Sequence, residues 1–493
     1  NGVEQARSSE ASVWGTNYLQ IRISPPGSDY SANDCSVGDL DGDGKYEIVL
    51  KWDPSNAKDN SQSGTTGNVY LDAYTLAGTR MWRIDLGRNI RAGAHYTQFM
   101  VYDLDGDGQA EVACKTADGT VDGRGTVIGS SSADYRNSSG YILSGPEYLT
   151  VFNGQTGAAM KTVNYEPARG TVSSWGDSYG NRVDRFLACV AYLDGKRPSL
   201  VMCRGYYTRA VLVAYDWRNG GLTKRWTFDS SSGNSAYAGQ GNHNLSVADV
   251  DGDGRDEIVY GSCTIDDNGR GLYSTGLGHG DAMHLGDLDP SRPGLGVWAC
   301  LEGSGGASLR DARTGQSIFR WSASGDTGRA CSADLVASSP GEEIWAAGSS
   351  LFSCTGKTLG SAPSQKNFAI WWDGDEMREL LDGTTISKYN AGTLLSASGC
   401  ASNNGTKSTP CLQADLFGDW REEVIWRTSD NQYLRIYTTT NTTSRRLFTL
   451  MHDSVYRLGI AWQNVAYNQP PHVGFYLGSG MTNPAAPNIY LVP

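Results

Sequence analysis

The chain has 493 residues, with 62 Gly against 16 Pro, and with 14 Trp, 26 Tyr and 10 Phe. So much glycine beside so many aromatics suits short strands joined by tight turns and excludes a disordered chain. Lys and Arg number 41 against 53 Asp and Glu, a net charge of −12, which excludes a non-specific nucleic-acid binder. No apolar run approaches the roughly 20 residues that cross a bilayer.

Much of the acid lies in a repeat. Asp39-Leu-Asp41-Gly-Asp43-Gly44-Lys45-Tyr-Glu47 recurs as Asp103-Leu-Asp105-Gly-Asp107-Gly108-Gln109-Ala-Glu111 and as Asp249-Val-Asp251-Gly-Asp253-Gly254-Arg255-Asp-Glu257. Carboxylates stand at offsets 0, +2, +4 and +8, with Gly at +5. Calcium takes about six to eight oxygens. The four carboxylates and the carbonyl of Lys45, Gln109 or Arg255 supply most of them. An EF-hand would need its bidentate Glu at loop position 12, where Leu50, Cys114 and Tyr260 stand. The acid comes early and an apolar, β-rich run follows, so each loop joins two strands.

Weaker copies keep the phase: Asp194-Gly195, Asp287-Leu-Asp289, Asp334 with Glu342, Asp373-Gly-Asp375, and Asp415 with Asp419 and Glu423. The eight markers at 39, 103, 194, 249, 287, 334, 373 and 415 predict eight units of about four strands each. Such a period predicts an all-β fold, an eight-bladed β-propeller with calcium-binding Asp-rich loops. No Pro- or Ser-rich linker divides the chain, so residues 1–493 are read as a single β-propeller catalytic domain. A monomer is expected.

Ten cysteines are scattered without a C-x-x-C pair, which argues against a zinc cluster. Cys189 with Cys203, and Cys400 with Cys411, are candidate disulfides; buried free thiols are the alternative. The first residue is Asn1 and no signal peptide is visible, which reads as a mature or trimmed chain.

Polar residues recur a few positions before each loop: Asn33, His95, His243, His279 with Asp281, Arg329 and Lys407. In a propeller these positions rim one face around the axis, where a ligand site is favoured over capped turns. His243, His279, Asp281 and Glu302 are a candidate further metal site.

These residues carry a family resemblance. The stretches from Asn33 to Gly44, Asn403-Asn-Gly-Thr-Lys407-Ser-Thr-Pro and Ala461-Trp-Gln-Asn-Val-Ala-Tyr467-Asn-Gln-Pro-Pro-His472 resemble polysaccharide lyase family 11, the rhamnogalacturonan lyases. The match runs over nearly the whole chain. The resemblance implies a propeller loaded with several Ca2+ ions and secreted to act on pectin. It implies cleavage of the rhamnose–galacturonate backbone by β-elimination. Family members usually carry a small β-sandwich before the propeller, and this chain starts at the propeller. No insertion is evident between Arg320 and Asp334, which favours the endo mode. By resemblance and position Lys407 is the base, and Arg329 fixes the uronate or assists the leaving oxygen. Asn33, Asp53, Asn404, Gly405, Thr406 and Tyr467 match positions that contact sugar. Two rivals stay open: a binding propeller that does not cut, and a hydrolase using facing carboxylates such as Asp53 and Glu302.

Overall fold

The computed structural model describes residues 14–489. Eight antiparallel sheets follow one another in chain order. Their innermost strands touch in sequence around a ring: Tyr30–Gly38, Phe99–Tyr102, Phe186–Ala191, Gly241–Ala248, Met283–Gly286, Ala330–Ala333, Phe368–Ile370 and Leu412–Ala414. The last touches the first and closes it. The expected eight-bladed propeller is therefore the observed fold, with each predicted marker between the first and second strands of its blade.

Burial grades outward within a blade. In blade 3 the two inner strands, Phe186–Ala191 and Ser199–Arg204, are buried throughout. The outermost, Gly221–Asp229, is mostly solvated. Inner strands can therefore be unbroken apolar runs, whereas outer strands mix polar and apolar residues. Blade 8 is completed from the other end of the chain. Tyr18–Arg22 pairs antiparallel with Tyr433–Tyr437 as its outermost strand.

Among the described residues one α-helix, Ser454–Trp462, interrupts the β architecture. The Asp453 side chain caps it by accepting from the Tyr456 amide. It packs against the inner strands of blades 1 to 4. Just past it, Asn464 accepts from the Phe99 amide at 3.2 Å and donates to the Phe99 carbonyl at 2.8 Å. Gln463 does the same for Gln413, at 2.8 Å each way. These amides satisfy the free inner edges of blades 2 and 8. The chain then emerges with Tyr467 beside His243. None of the described helices is long and apolar enough to cross a membrane.

The acidic loops share one geometry. Asp39 accepts from the amides of Gly42 and Gly44 at 2.7 and 2.8 Å, and Asp103 and Asp249 repeat the pattern. Gly44, Gly108 and Gly254 have φ near +83°, +90° and +89°, which explains glycine at that offset. Glu47, Glu111 and Glu257 each clamp the amide that follows the first Asp, at 2.8–2.9 Å.

Blade 6 departs from the predicted spacing. Glu343, not Glu342, clamps the amides of Leu335 and Val336, while Glu342 bonds Ser332 and lies 3.7 Å from His472. The disulfides are not formed; all ten cysteines are free. Cys189 pairs across strands with Val201, and Cys203 with Leu187. Cys400 lies near the Tyr437 hydroxyl, whereas the Cys411 thiol accepts from Asn403 at 3.3 Å and its carbonyl from the Cys35 amide at 2.8 Å.

Candidate active site

Inner strands enter from one face of the ring and leave into the acidic loops on the other. The polar residues that precede each loop therefore gather on the entry face. Asp281 is their hub. Its carboxylate lies 3.5 Å from Lys407 Nζ, 3.8 Å from Arg329 Nη1 and 3.4 Å from His243 Nε2. Blades 4, 5, 6 and 8 thus contribute to one cluster.

Lys407 sits on a short 3₁₀ turn, Gly405–Lys407. Asn404 and Ser408 flank it in left-handed conformation, φ 60° and 51°, which Asn tolerates better than most residues. Asn404 donates to Thr409 at 2.8 Å and to Asn468 at 2.9 Å, fixing the turn. The ammonium lies 3.3 Å from the centroid of the Tyr467 ring, a cation–π contact. Burial pushes the Lys407 pKa down to about 8; Asp281 opposes the shift and Arg329 reinforces it. Desolvation, not the neighbouring Arg329 cation, is the leading cause.

Arg329 donates from Nε to Asn367 at 3.0 Å and from Nη2 to Thr406 at 3.4 Å. Asn33 donates to Asp53 at 2.8 Å and to Asn404 at 3.4 Å. Burial raises the pKa of Asp53. Asn33 thus joins Asp53 to the turn at residues 404–407, and the Tyr467 ring lies against the Lys407 ammonium.

His243, His279 and Asp281 can place one ligand atom each within 4.8 Å of one another. Burial lowers both histidines, His279 to about 4, so both imidazoles are neutral, as metal ligation requires. His279 Nδ1 lies 2.5 Å from the Gly241 carbonyl, which leaves Nε2 buried without a hydrogen-bond partner. Glu302 lies 3.3 Å from that nitrogen. The donor set fits a divalent cation. On the opposite face, Asp39–Asp41–Asp43, Asp103–Asp105–Glu111 and Asp249–Asp251–Glu257 group similarly. Asp105 Oδ1 and Glu257 Oε1 are buried and unpartnered there, which also fits cation binding.

The model of rhamnogalacturonan lyase family 11, C-terminal domain, matches residues 23–487. The chain belongs to rhamnogalacturonan lyase family 11. It is 62% identical to rhamnogalacturonan endolyase YesW of Bacillus subtilis, covering 99% of this chain and 82% of that protein. It is 60% identical to rhamnogalacturonan exolyase YesX of the same organism, covering 99% and 86%. The crystal structure of YesW superposes with a TM-score of 0.97 over 100% of this chain and 88% of that one. A Bacillus licheniformis rhamnogalacturonan lyase, 64% identical, also gives 0.97, over 99% and 87%.

This family 11 chain holds site residues that sequence reading overlooked. Tyr206 Oη bridges His95 Nδ1 and His243 Nδ1, 3.0 Å from each. His95 therefore lies behind the metal-type group, where its Nε2 faces Asp59 at 3.5 Å. Tyr207 bonds His243 Nε2 at 3.0 Å and packs on His279 at 4.0 Å. Tyr206 and Tyr207 follow the second strand of blade 3, out of phase with the acidic repeat. The run Arg204-Gly-Tyr-Tyr-Thr-Arg209 is the signal that could have found them. A cavity of about 1120 Å³ opens on the loop face beside Tyr102, Tyr192 and Arg457. It lies apart from Lys407, and the convergence of titratable groups marks the entry face as the candidate site.

Proposed function

We propose that this protein cleaves the rhamnose–galacturonate backbone of pectin by β-elimination, with Lys407 as base. The observation that carries it is a lysine lowered to about 8 by burial, beside an arginine and the Asp281 carboxylate with its two neutral imidazoles. A β-elimination must neutralise the uronate carboxylate, take the C5 proton and expel O4. Lys407 Nζ takes the proton, and the C5–H electrons form the C4–C5 double bond. The C4–O4 bond breaks and O4 leaves with its electron pair, whose charge faces Arg329. A Ca2+ ion held by His243, His279 and Asp281 would supply Lewis-acid charge for the uronate. Asn33, Asp53, Asn404, Gly405, Thr406 and Tyr467 bind sugar, with Tyr467 offering a ring and a hydroxyl. Further Ca2+ ions fill the three complete acidic loops.

The ring as a whole is the catalytic unit, secreted to meet an extracellular polymer. An endo mode is supported by the short connection, residues 322–329, between blades 5 and 6. The direct test is ultraviolet absorbance of the C4–C5 double bond, conjugated to the carboxylate, on rhamnogalacturonan. Saturated products would indicate hydrolysis, and no products would indicate a binding module. Early loss of viscosity distinguishes internal cleavage from cleavage at chain ends.

A further inference from the structure

The turn at residues 177–182, between blades 2 and 3, carries two groups to which the proposed chemistry assigns no task. Tyr179 is 46% exposed, among the most exposed aromatics of the described residues. Arg182 lies over the Tyr207 ring, 3.6 Å from its centroid. Among the described residues the Arg182 guanidinium makes no ion pair, whereas the nearby arginines are committed. Arg185 faces Asp59 at 3.5 Å, and Arg204 pairs with Glu147 at 2.9 Å.

The turn is rigid. Asp177 Oδ1 accepts from the amides of Tyr179, Gly180 and Asn181 at 3.1, 2.9 and 3.1 Å, and Oδ2 from that of Arg182 at 2.8 Å. Asn181 donates to Tyr179 Oη at 3.0 Å, holding the ring, and Tyr141 meets it edge-on at 5.9 Å. Tyr207 connects Arg182 to the His243–His279 group. A polymer that places one uronate at Asp281 and Lys407 carries its next uronate two sugars along, because the backbone alternates.

We propose that this turn is a second sugar subsite. Arg182 pairs with the carboxylate of a neighbouring galacturonate, and Tyr179 offers its ring to a pyranose. This rests on the substrate class proposed above. A planar guanidinium suits a carboxylate bidentately. The preset turn limits the entropy lost on binding.

The test compares Arg182→Gln, Arg182→Lys and Tyr179→Ala on the polymer and on the shortest oligosaccharide that is cleaved, by ultraviolet absorbance. Arg182→Gln should raise KM for the polymer about 10–100-fold, the worth of a charge-assisted hydrogen bond. The rise should be smaller for the short oligosaccharide, and Arg182→Lys should recover part of it. An equal loss at both lengths would mean that Arg182 acts through Tyr207, and would overturn the subsite. So would an unchanged KM for the polymer. A wild-type protein that makes no unsaturated product overturns the elimination reading instead. Affinity for the uncut polymer then decides the subsite: equal binding by wild type and Arg182→Gln removes it.

Discussion

Lys407 is the residue on which the proposed chemistry turns. Lys407→Ala should lower elimination about 10²–10⁴-fold, and Arg329→Ala about 10²–10³-fold. Neither sits in a complete acidic loop, so the melting temperature of each variant should stay close to that of the parent. Near-normal turnover of Lys407→Ala would remove it as the base. A contrasting case is Glu147, buried between blades 2 and 3. One of its oxygens lies 2.9 Å from Arg204, 3.2 Å from Lys115 and 3.2 Å from Arg169. Glu147→Gln removes the carboxylate that these three cations share and leaves Arg204 only its ion pair with Asp184, at 3.1 Å. It should cost about 3–5 kcal/mol of stability, measured by denaturant unfolding, and should touch catalysis only through the fold.

At the scale of single loops, cations of the chain itself balance part of the repeated acid. In blade 7 the Lys388 ammonium lies 2.5 Å from Asp373, 2.5 Å from Asp375 and 3.3 Å from Glu379. One ammonium thus meets three carboxylates of the loop. Blade 3 sets Arg197 against Asp194 at 3.3 Å, and blade 8 pairs Arg421 with Asp419. Lys388→Met should therefore melt lower than the parent in chelator. It should regain stability in millimolar calcium and bind one more ion by elemental analysis. A variant whose melting ignores calcium would show that the loop cannot hold one. The distinction between these loops and the complete ones was only partly legible. Offsets of Asp and Glu mark the loop, but Lys388 comes from the third strand of the blade, where no local spacing points to it. The nine-residue helix at Ser454 was likewise hidden, because its few apolar positions carry little period in a chain dominated by strands. Conversely, Asn33, Arg329 and Lys407 were legible because each precedes an acidic marker, and a propeller turns that shared phase into a shared face.

For the whole molecule, the three complete loops bring twelve carboxylates that repel one another when empty. Ion binding to the folded state stabilises it by about 4 kcal/mol per site at a thousandfold excess over Kd. Chelation should lower the melting temperature strongly, and added calcium should restore it. A melt in metal-free buffer that matches the calcium-loaded one would contradict this.

The strand Tyr18–Arg22 joins Tyr433–Tyr437 across almost the whole chain; Arg22 and Tyr433, hydrogen-bonded side by side, are 411 positions apart. Seven blades can form from neighbouring segments as the ribosome delivers them, but the eighth must wait for its own strands and then recapture the earliest one. Closing so long a loop has an entropic cost that no local contact offsets, so this clasp forms last and slowly. Until then the solitary strand and the open sheet edge are each free to pair with the wrong chain. At high concentration, refolding should divert into linked rings that exchange this strand, and dilution should recover single rings.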